Sequence, residues 1–358
     1  MLSIVKEKTL SALSFVGNTS LFATIPTLSL KNFAESFRLA WTGYSVQQQF
    51  QAQNLRFFEQ MLSDADASTA VMLETQCQQL LEGFSTEDAI QRLRQNKLQK
   101  GSAEDKIELW NELKVTCLAR VLCQFGILVR TFLINTIAFS ILARKKQQLT
   151  LLEMESQKPL APFGVDESTS NSSFHDENEK LFIGYLLTVL DETFPGDMQH
   201  AIECVKTSFE STHPTDIVTK QHIASLLQTA FQNWIEATRL SFHELRKLFF
   251  ADVQADVVLT GSLVACMDEF EDVWELAELE VCMSHCFNQL IPIFLEQLSI
   301  PKEGQRLAKT LAATTKVFRD FDETSVKEFV QRLACMSERA KLAAVLYTNY
   351  DDDEDSVL

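Results

Sequence analysis

The side chains of this chain that could bind a metal lie in three short motifs. Cys282, His285 and Cys286 are spaced so that they would share one face of a helix, where two thiolates and an imidazole could ligate zinc. A structural zinc site needs a fourth ligand and usually draws on Cys-x-x-Cys turns, whereas residues 281–287 are otherwise mostly apolar. We therefore interpret these three residues as part of a helix core rather than as a metal site.

The other two motifs have suitable residue types at the wrong spacing. A di-iron bundle needs Glu-x-x-His on two helices, but only Glu210 and His213 have this spacing, and the proline that follows predicts a helix end. A zincin needs His-Glu-x-x-His, and Lys247 stands where a second histidine should follow the His-Glu pair at 243–244. The ten glycines form neither a phosphate-binding loop nor a nucleophile elbow. The sequence therefore predicts no enzyme activity, cofactor, metal ion or small-molecule substrate.

A surface that could accept a partner helix begins near Trp110. Apolar and basic residues recur there at three- and four-residue steps, just after the basic stretch 92–100; they are Ile107, Trp110, Leu113, Lys114 and Cys117. A tryptophan near a helix start, beside Lys106, could lie over a groove that accepts an amphipathic helix. Periodicity alone favours a core position for the same tryptophan, so both interpretations stay open at this point.

The elements that must position these residues are predicted to be long helices. The chain has 10 Gly and 7 Pro in 358 residues, a little under 5% together, against roughly 12% in ordinary globular proteins. It also lacks Asn-Gly and Asp-Gly hairpin signals. We predict an all-α fold, a single elongated and irregular bundle of long helices.

Charge and cysteine usage limit the classes of partner. Residues 1–150 carry 16 Lys or Arg and 13 Asp or Glu, whereas residues 151–358 carry 16 and 36, within a net charge of −17. An acidic body repels phosphate backbones, so nucleic acid is not predicted as a partner. The eight cysteines lie mostly in apolar helical patterns, which is typical of reduced thiols in the cytosol.

The pattern along the chain predicts one helical domain over residues 31–350. Its most informative segment is a long helix over 104–146, in which residues 116–143 contain only Arg120 and Arg130 as charges. We interpret this segment as the buried central helix rather than as a membrane span. The other predictions are helices at 31–62 and 66–83, a helix break at Pro195-Gly196, a single helix at 262–297, a disordered loop at 153–179 and an acidic tail at 351–358.

The N-terminal residues 1–30 form a weak candidate for a membrane anchor or targeting segment. Thr9 to Leu30 is a run of 22 residues without a charge, long enough to cross a bilayer, but half of it is polar or small. The alternative is a disordered or loosely docked arm. If the segment inserts, the apolar side chains available are Leu10, Leu13, Phe15, Val16, Leu21 and Phe22.

Residues 105–133, DKIELWNELKVTCLARVLCQFGILVRTFL, resemble the peroxisomal biogenesis factor 3 family, in which a Lys-Leu-Glu-Ile-Trp-Glu-Asp-Leu-Lys run opens a long apolar helix. Residues 45–97 resemble the family's Gln-rich long helix and the short helix after it. Later segments, LFIGYLLTVLDETFPGDMQHAIECVK, ELEVCMSHCFNQLIPIFLEQL, LAKTLAATTKVFRDF and VQRLACMSERAKLAAVLY, follow in the family's order. The resemblance covers about residues 31–350.

The resemblance implies a receptor without enzymatic activity in the peroxisomal membrane, with the bulk of the chain facing the cytosol. It would dock the soluble chaperone peroxisomal biogenesis factor 19 with its newly made membrane proteins, for assembly of a peroxisome or glycosome-like membrane. An amphipathic N-terminal helix of that chaperone would lie in a groove at one end of the bundle. By motif position, the groove residues are Ile90, Leu93, Arg94, Lys106 and Trp110.

At the N-terminus the chain departs from the family pattern of a basic cluster followed by a clear apolar span. Here only Lys6 and Lys8 precede a Ser/Thr-rich run. The competing interpretation of the whole chain is a soluble all-helical scaffold or tethering protein with no peroxisomal role.

Overall fold

The computed structural model describes residues 56–73, 83–99, 103–156, 171–238, 246–247, 249, 261–319 and 323–348. These residues are almost entirely helical, which confirms the all-α prediction. Short turns connect the helices, and a two-residue antiparallel pairing joins β1 with β2. In chain order the elements are α1 (56–73), α2 (Glu87–Gln99), α3 (Ala103–Ser156), α4 (Asn171–Ser208), β1 (Ile217–Val218), α5 (Lys220–Ala237), α6 (Gly261–Trp274), α7 (Ala277–Gln297), β2 (Gln305–Arg306), α8 (Leu307–Arg319), α9 (Glu323–Ala334) and α10 (Ser337–Thr348).

Helix α3 is the centre of the fold. Glu104 and Asp105 place negative charge in its first turn, where the helix dipole favours it. Among the described residues one stretch, Glu104–Gln148, is long and apolar enough to cross a membrane, but 89% of its most apolar window is buried inside the protein. Helices α2, α4, α6, α7, α8 and α10 all pack against α3. The prediction of a long, buried apolar helix is therefore confirmed.

Aromatic side chains fill the space between α3 and its neighbours. Phe125 lies edge-on to three buried rings at centroid distances of 6.2, 5.8 and 5.3 Å; these are Phe287, Phe294 and Phe329. At the next residue of α3, the ring of the fully buried Trp234 of α5 covers Gly126. The edge-to-face geometry contributes to stability beyond the burial of apolar area.

We expect a Gly126→Ala substitution to lower the free energy of unfolding by about 1 to 3 kcal/mol, because overpacking a dense core forces side chains off their rotamers. A Cβ at this position would lie 2.7 Å from ring atoms of Trp234. Urea unfolding measures the effect. Gly196→Ala is the matched control, since a Cβ there meets nothing within 4 Å and alanine favours a helix. Equal stability of the two variants would contradict the expectation.

Several arginines connect α3 and α10 to their neighbours. The Arg130 guanidinium bonds the Asp197 carboxylate at 2.6 Å and the Thr238 hydroxyl at 2.6 Å. Arg144 pairs with Glu269 of α6 and donates a hydrogen bond to Leu346 O at 3.1 Å. Arg339 of α10 pairs with Asp66 of α1 and donates a hydrogen bond to Leu62 O at 3.0 Å. Because buried charges must be paired, these contacts set the register between helices.

Three sequence-based boundaries are wrong. Helix α4 continues through Pro195-Gly196, because this proline is exposed on the helix surface and the residues around it pack on α3. Residues 153–156 and 171–179 are helical, so the predicted loop 153–179 is shorter at both ends, and its middle lies outside the described residues. The predicted helix over 262–297 is two helices, with a turn at 275–276 between α6 and α7.

The predicted break between helices 31–62 and 66–83 is also wrong, since α1 runs through residues 63–65. Ala65 is buried and Asp66 pairs with Arg339, so this part of the chain packs as one continuous helix. The part of the predicted first helix before residue 56 lies outside the described residues, as does the acidic tail 351–358.

Candidate docking surface

The five predicted groove residues lie on α2 and the first two turns of α3. Ile90, Leu93 and Trp110 are half-buried and pack against the main hydrophobic core, whereas Arg94 and Lys106 are exposed. The three apolar groove residues therefore pack against the same hydrophobic core, and the two basic groove residues lie in solvent at the same end of the bundle.

Helices α2 and α3 pack against each other. A small polar cleft lies between them, lined by Arg92, Gln95, Asn96, Asp105, Glu108 and Leu109. One turn farther along α3, Arg92 pairs with Glu112 at 3.1 Å, with both side chains about half exposed. None of the five predicted groove residues lines this cleft.

The solvent-facing part of the surface is a short face of α3. Lys106 and Trp110 are four residues apart, and Ile107 is three residues before Trp110, so the three side chains neighbour one another on the helix. Ile107 is 54% exposed, although isoleucine is among the most frequently buried residue types. We call Lys106, Ile107 and Trp110 the docking face.

Trp110 is neither fully buried nor fully exposed. One part of the indole packs against the core, and the rest is in solvent. Trp234, in contrast, is completely buried and donates its indole N–H to the Asp197 carbonyl at 3.0 Å. A partly exposed indole beside an exposed isoleucine offers apolar surface that a partner could contact without a large conformational change in this protein.

Lys114 has a role that sequence periodicity did not identify. Leu113 and Cys117, predicted on the same face, are buried in the core. Lys114 is buried as well, and its ammonium donates hydrogen bonds to Phe209 O at 2.9 Å and Thr212 O at 2.8 Å, just past the end of α4. Carbonyls at a helix C-terminus lack intrahelical donors, and a cation suits the dipole there. Lys114 therefore fixes the start of α3 against the end of α4.

Burial lowers the pKa of the Lys114 ammonium, and the nearby Asp216 carboxylate opposes this. A neutral amine retains two N–H groups, enough for both carbonyls. Since the folded state loses the Lys114 proton more readily than the unfolded state, Lys114 makes stability rise with pH between its folded pKa and about 10.4.

We expect Lys114→Met to lower the free energy of unfolding by about 1 to 3 kcal/mol, because both carbonyls lose the hydrogen bond from the ammonium and the carbonyl of the buried Thr212 is left without it. Lys106→Met is the matched control: this lysine is exposed, so the same substitution should change stability by under about 0.5 kcal/mol. Urea unfolding at pH 7 and pH 9.5 measures both. The stability gap between wild type and Lys114→Met should widen at the higher pH, and an unchanged or narrower gap would refute the titration of Lys114.

The docking face is far from the point at which the N-terminal residues join the described fold. A second, smaller hydrophobic cluster, formed by Met61, Ala143 and Tyr347, holds the beginning of α1 against α3. Ala143 is about 50 Å along α3 from Trp110, at 1.5 Å per residue. The predicted anchor residues lie outside the described residues; they are Leu10, Leu13, Phe15, Val16, Leu21 and Phe22.

The remaining chemistry-bearing motifs do not form a further site in the part of the chain that the structure describes. Cys286 is buried in the core and Cys282 beside it is half-buried, but His285 is exposed, so its predicted place in the core is wrong. A hydrogen bond donated by Cys286 lowers the pKa of Cys282 and raises that of Cys286. His213 lies in the exposed turn after α4, where its backbone N–H donates to the Asp216 carboxylate at 2.7 Å.

Comparison with known proteins gives one relative of similar extent. No family model matches the chain. A protein of Schizosaccharomyces pombe that is described as uncharacterized is 28% identical over 270 residues, which cover 74% of this chain and 74% of that protein. The description of this relative assigns no activity or partner.

Proposed function

We propose that this protein is a docking receptor of the peroxisomal membrane, similar to the peroxisomal biogenesis factor 3 family. Its docking face binds an amphipathic N-terminal helix of the chaperone peroxisomal biogenesis factor 19, which delivers newly made membrane proteins. The observation that carries the proposal is the docking face itself, an exposed Ile107 and a half-exposed Trp110 beside Lys106 at the start of a buried helix.

The energetics of such a surface suit a helical partner. A partner helix presents leucine or phenylalanine at i and i+3 or i+4, and burying one such side chain contributes about 1.5 to 3 kcal/mol. The exposed Lys106 and Arg94 would raise the association rate of an acidic segment more than its final affinity. The apolar residues therefore supply the affinity, and the basic residues guide the encounter.

The arrangement of the bundle fits a membrane receptor. The chain joins the described fold at α1, and the docking face is on the other half of α3. This separation leaves the docking face clear of the end of α3 at which the N-terminal residues enter the described fold.

Isothermal titration with the N-terminal segment of the chaperone tests the docking role on the full-length protein. We expect saturable 1:1 binding that Ile107→Asp weakens at least tenfold. Val71→Asp is the control, because Val71 is 70% exposed on α1 and lies away from the docking face. Failure of the wild-type protein to bind would remove the proposal and favour the soluble scaffold.

Imaging of the tagged chain and alkaline carbonate extraction test the location. A peroxisomal signal that resists extraction, and that is lost from a variant lacking residues 1–30, would support anchoring. Diffuse cytosolic signal would contradict the receptor role.

A further inference from the structure

We infer that the protein has a binding site for a small amphipathic amine, in a cavity between the buried part of α3 and the helices α5, α6 and α7. The ligand class is a molecule with an ammonium group at one end, a short apolar body, and a hydroxyl or carbonyl oxygen at the other end. The site is separate from the docking face, since Arg130 of this cavity is 20 residues after Trp110, about 30 Å along α3.

The cavity has a volume of about 220 Å³ and is open to solvent. A cavity of about 150 Å³ accommodates benzene, so there is room here for a molecule of roughly eight to ten non-hydrogen atoms. Its exposed lining residues are Glu275, in the turn between α6 and α7, and Glu280, near the start of α7. These two glutamates therefore mark the open side of the cavity.

Apolar side chains line the interior of the cavity. Ile235 of α5 and Leu279 and Met283 of α7 are buried, and Trp274 at the end of α6 is half-buried. A short alkyl or aromatic body placed against these side chains would be removed from water on most of its surface. This part of the site supplies affinity and does not fix the orientation of the ligand.

One hydrogen-bond donor in the cavity wall has no acceptor. Arg130 lines the cavity and is 2% exposed, and its two terminal nitrogens bond Asp197 and Thr238. Its Nε–H has no hydrogen-bond partner among the residues that the structure describes. A buried N–H without an acceptor is rare, and the oxygen of a ligand would satisfy it. Because Asp197 already balances the charge of Arg130, the inner end of the ligand needs an acceptor but no negative charge.

The open side of the cavity has the opposite preference. The carboxylates of Glu275 and Glu280 are exposed, and neither has an ion-pair partner within the described part of the chain. Two unpaired negative charges attract an ammonium group and repel a carboxylate or a phosphate. The charges therefore orient the ligand, with its oxygen towards Arg130 and its ammonium towards the two glutamates.

Isothermal titration of the full-length protein with tyramine tests the inference, because tyramine carries a hydroxyl and an ammonium at opposite ends of an aromatic body. We expect saturable binding at one site. Phenethylamine, which lacks the hydroxyl, and para-ethylphenol, which lacks the ammonium, should each bind severalfold more weakly. The analogue para-hydroxyphenylpropionate, in which a carboxylate replaces the ammonium, should bind most weakly of all. Failure of tyramine to bind saturably would overturn the inference, as would tighter binding of the carboxylate analogue.

Substitutions at the open side locate the binding site. We expect the double variant Glu275→Gln with Glu280→Gln to raise the Kd for tyramine about tenfold, since two exposed charge interactions are lost. The double variant Glu303→Gln with Glu328→Gln is the matched control, because both side chains are exposed, neither lines the cavity, and the net charge changes equally. The control should change the Kd less than twofold. Equal Kd values for the two double variants would place tyramine elsewhere and overturn the inference.

A substitution in the interior checks the same location without changing a charge. Met283→Phe narrows the cavity and should raise the Kd for tyramine at least tenfold, whereas Val281→Phe, at an exposed residue of α7 that does not line the cavity, should leave it unchanged. Circular dichroism checks that each variant is folded. If Met283→Phe does not fold, the glutamine variants decide the outcome, since all four glutamates are on the surface.

Discussion

Replacing Trp110 with alanine is expected to weaken binding of the partner helix by about 2 kcal/mol or more, roughly thirtyfold in Kd, while the protein remains folded. The indole is half-buried, so its solvent-facing part is available to the partner and its inner part anchors it to the core. A rigid aromatic side chain fixed in this way loses little conformational entropy on binding. Titration with the chaperone's N-terminal segment measures the effect on affinity.

Trp274→Ala is the matched control for this experiment. Trp274 is also half-buried against the same core, where it stacks on Phe270 at a centroid distance of 5.9 Å, but it is at the end of α6. Both variants should lose a similar amount of stability, and only Trp110→Ala should lose affinity. Equal Kd values for the two variants would show that Trp110 has only a structural role. Unfolding of Trp110→Ala, with Trp274→Ala still folded, would lead to the same conclusion.

The largest effect on stability is expected from Asp197→Ala, about 3 to 5 kcal/mol. Asp197 is the carboxylate partner of Arg130, and both side chains are at most 5% exposed. The Arg130 guanidinium also lies 4.6 Å from the centre of the Trp234 ring. Removing the carboxylate leaves a buried cation without its counter-ion, which is among the most destabilising changes in a protein interior. Urea unfolding measures the loss.

Two further variants separate charge from packing at this pair. Burial raises the pKa of the Asp197 carboxyl more than Arg130 lowers it, so the pair is held together against a substantial desolvation penalty. The double variant Arg130→Met with Asp197→Ala should therefore be more stable than Asp197→Ala alone. Glu112→Ala, which breaks the exposed Arg92 pair, should change stability by under about 1 kcal/mol. A double variant less stable than the single one would contradict this account.

The fold class and the central helix could be predicted because they depend on local properties. Scarce glycine and proline leave few ways to end a helix, and an apolar stretch with two charges over residues 116–143 must be buried somewhere. The boundaries were harder to predict. Pro195 could end α4, yet its position on the exposed side of the helix and the packing of its neighbours let the helix continue.

The candidate site, too, could be predicted from the sequence only in part. Periodicity identified Ile107 and Trp110 as neighbours on one face of α3, and the structure leaves both accessible. It could not distinguish them from Leu113 and Cys117, which continue the pattern into the core, nor identify the acceptors of Lys114. Exposure depends on where the neighbouring helices end, and those ends are set by contacts between residues far apart in the chain.

The sequence by itself therefore determined that the chain is helical, that one long helix is buried, and that a tryptophan stands near the start of that helix. Only the tertiary structure decided that Lys114 faces the end of α4, and that Leu113 and Cys117 are buried while Ile107 stays exposed. The physical reason is that helix formation follows from residues a few positions apart, whereas Lys114 reaches acceptors 95 and 98 residues away. Which surface remains open to a partner is set by such contacts.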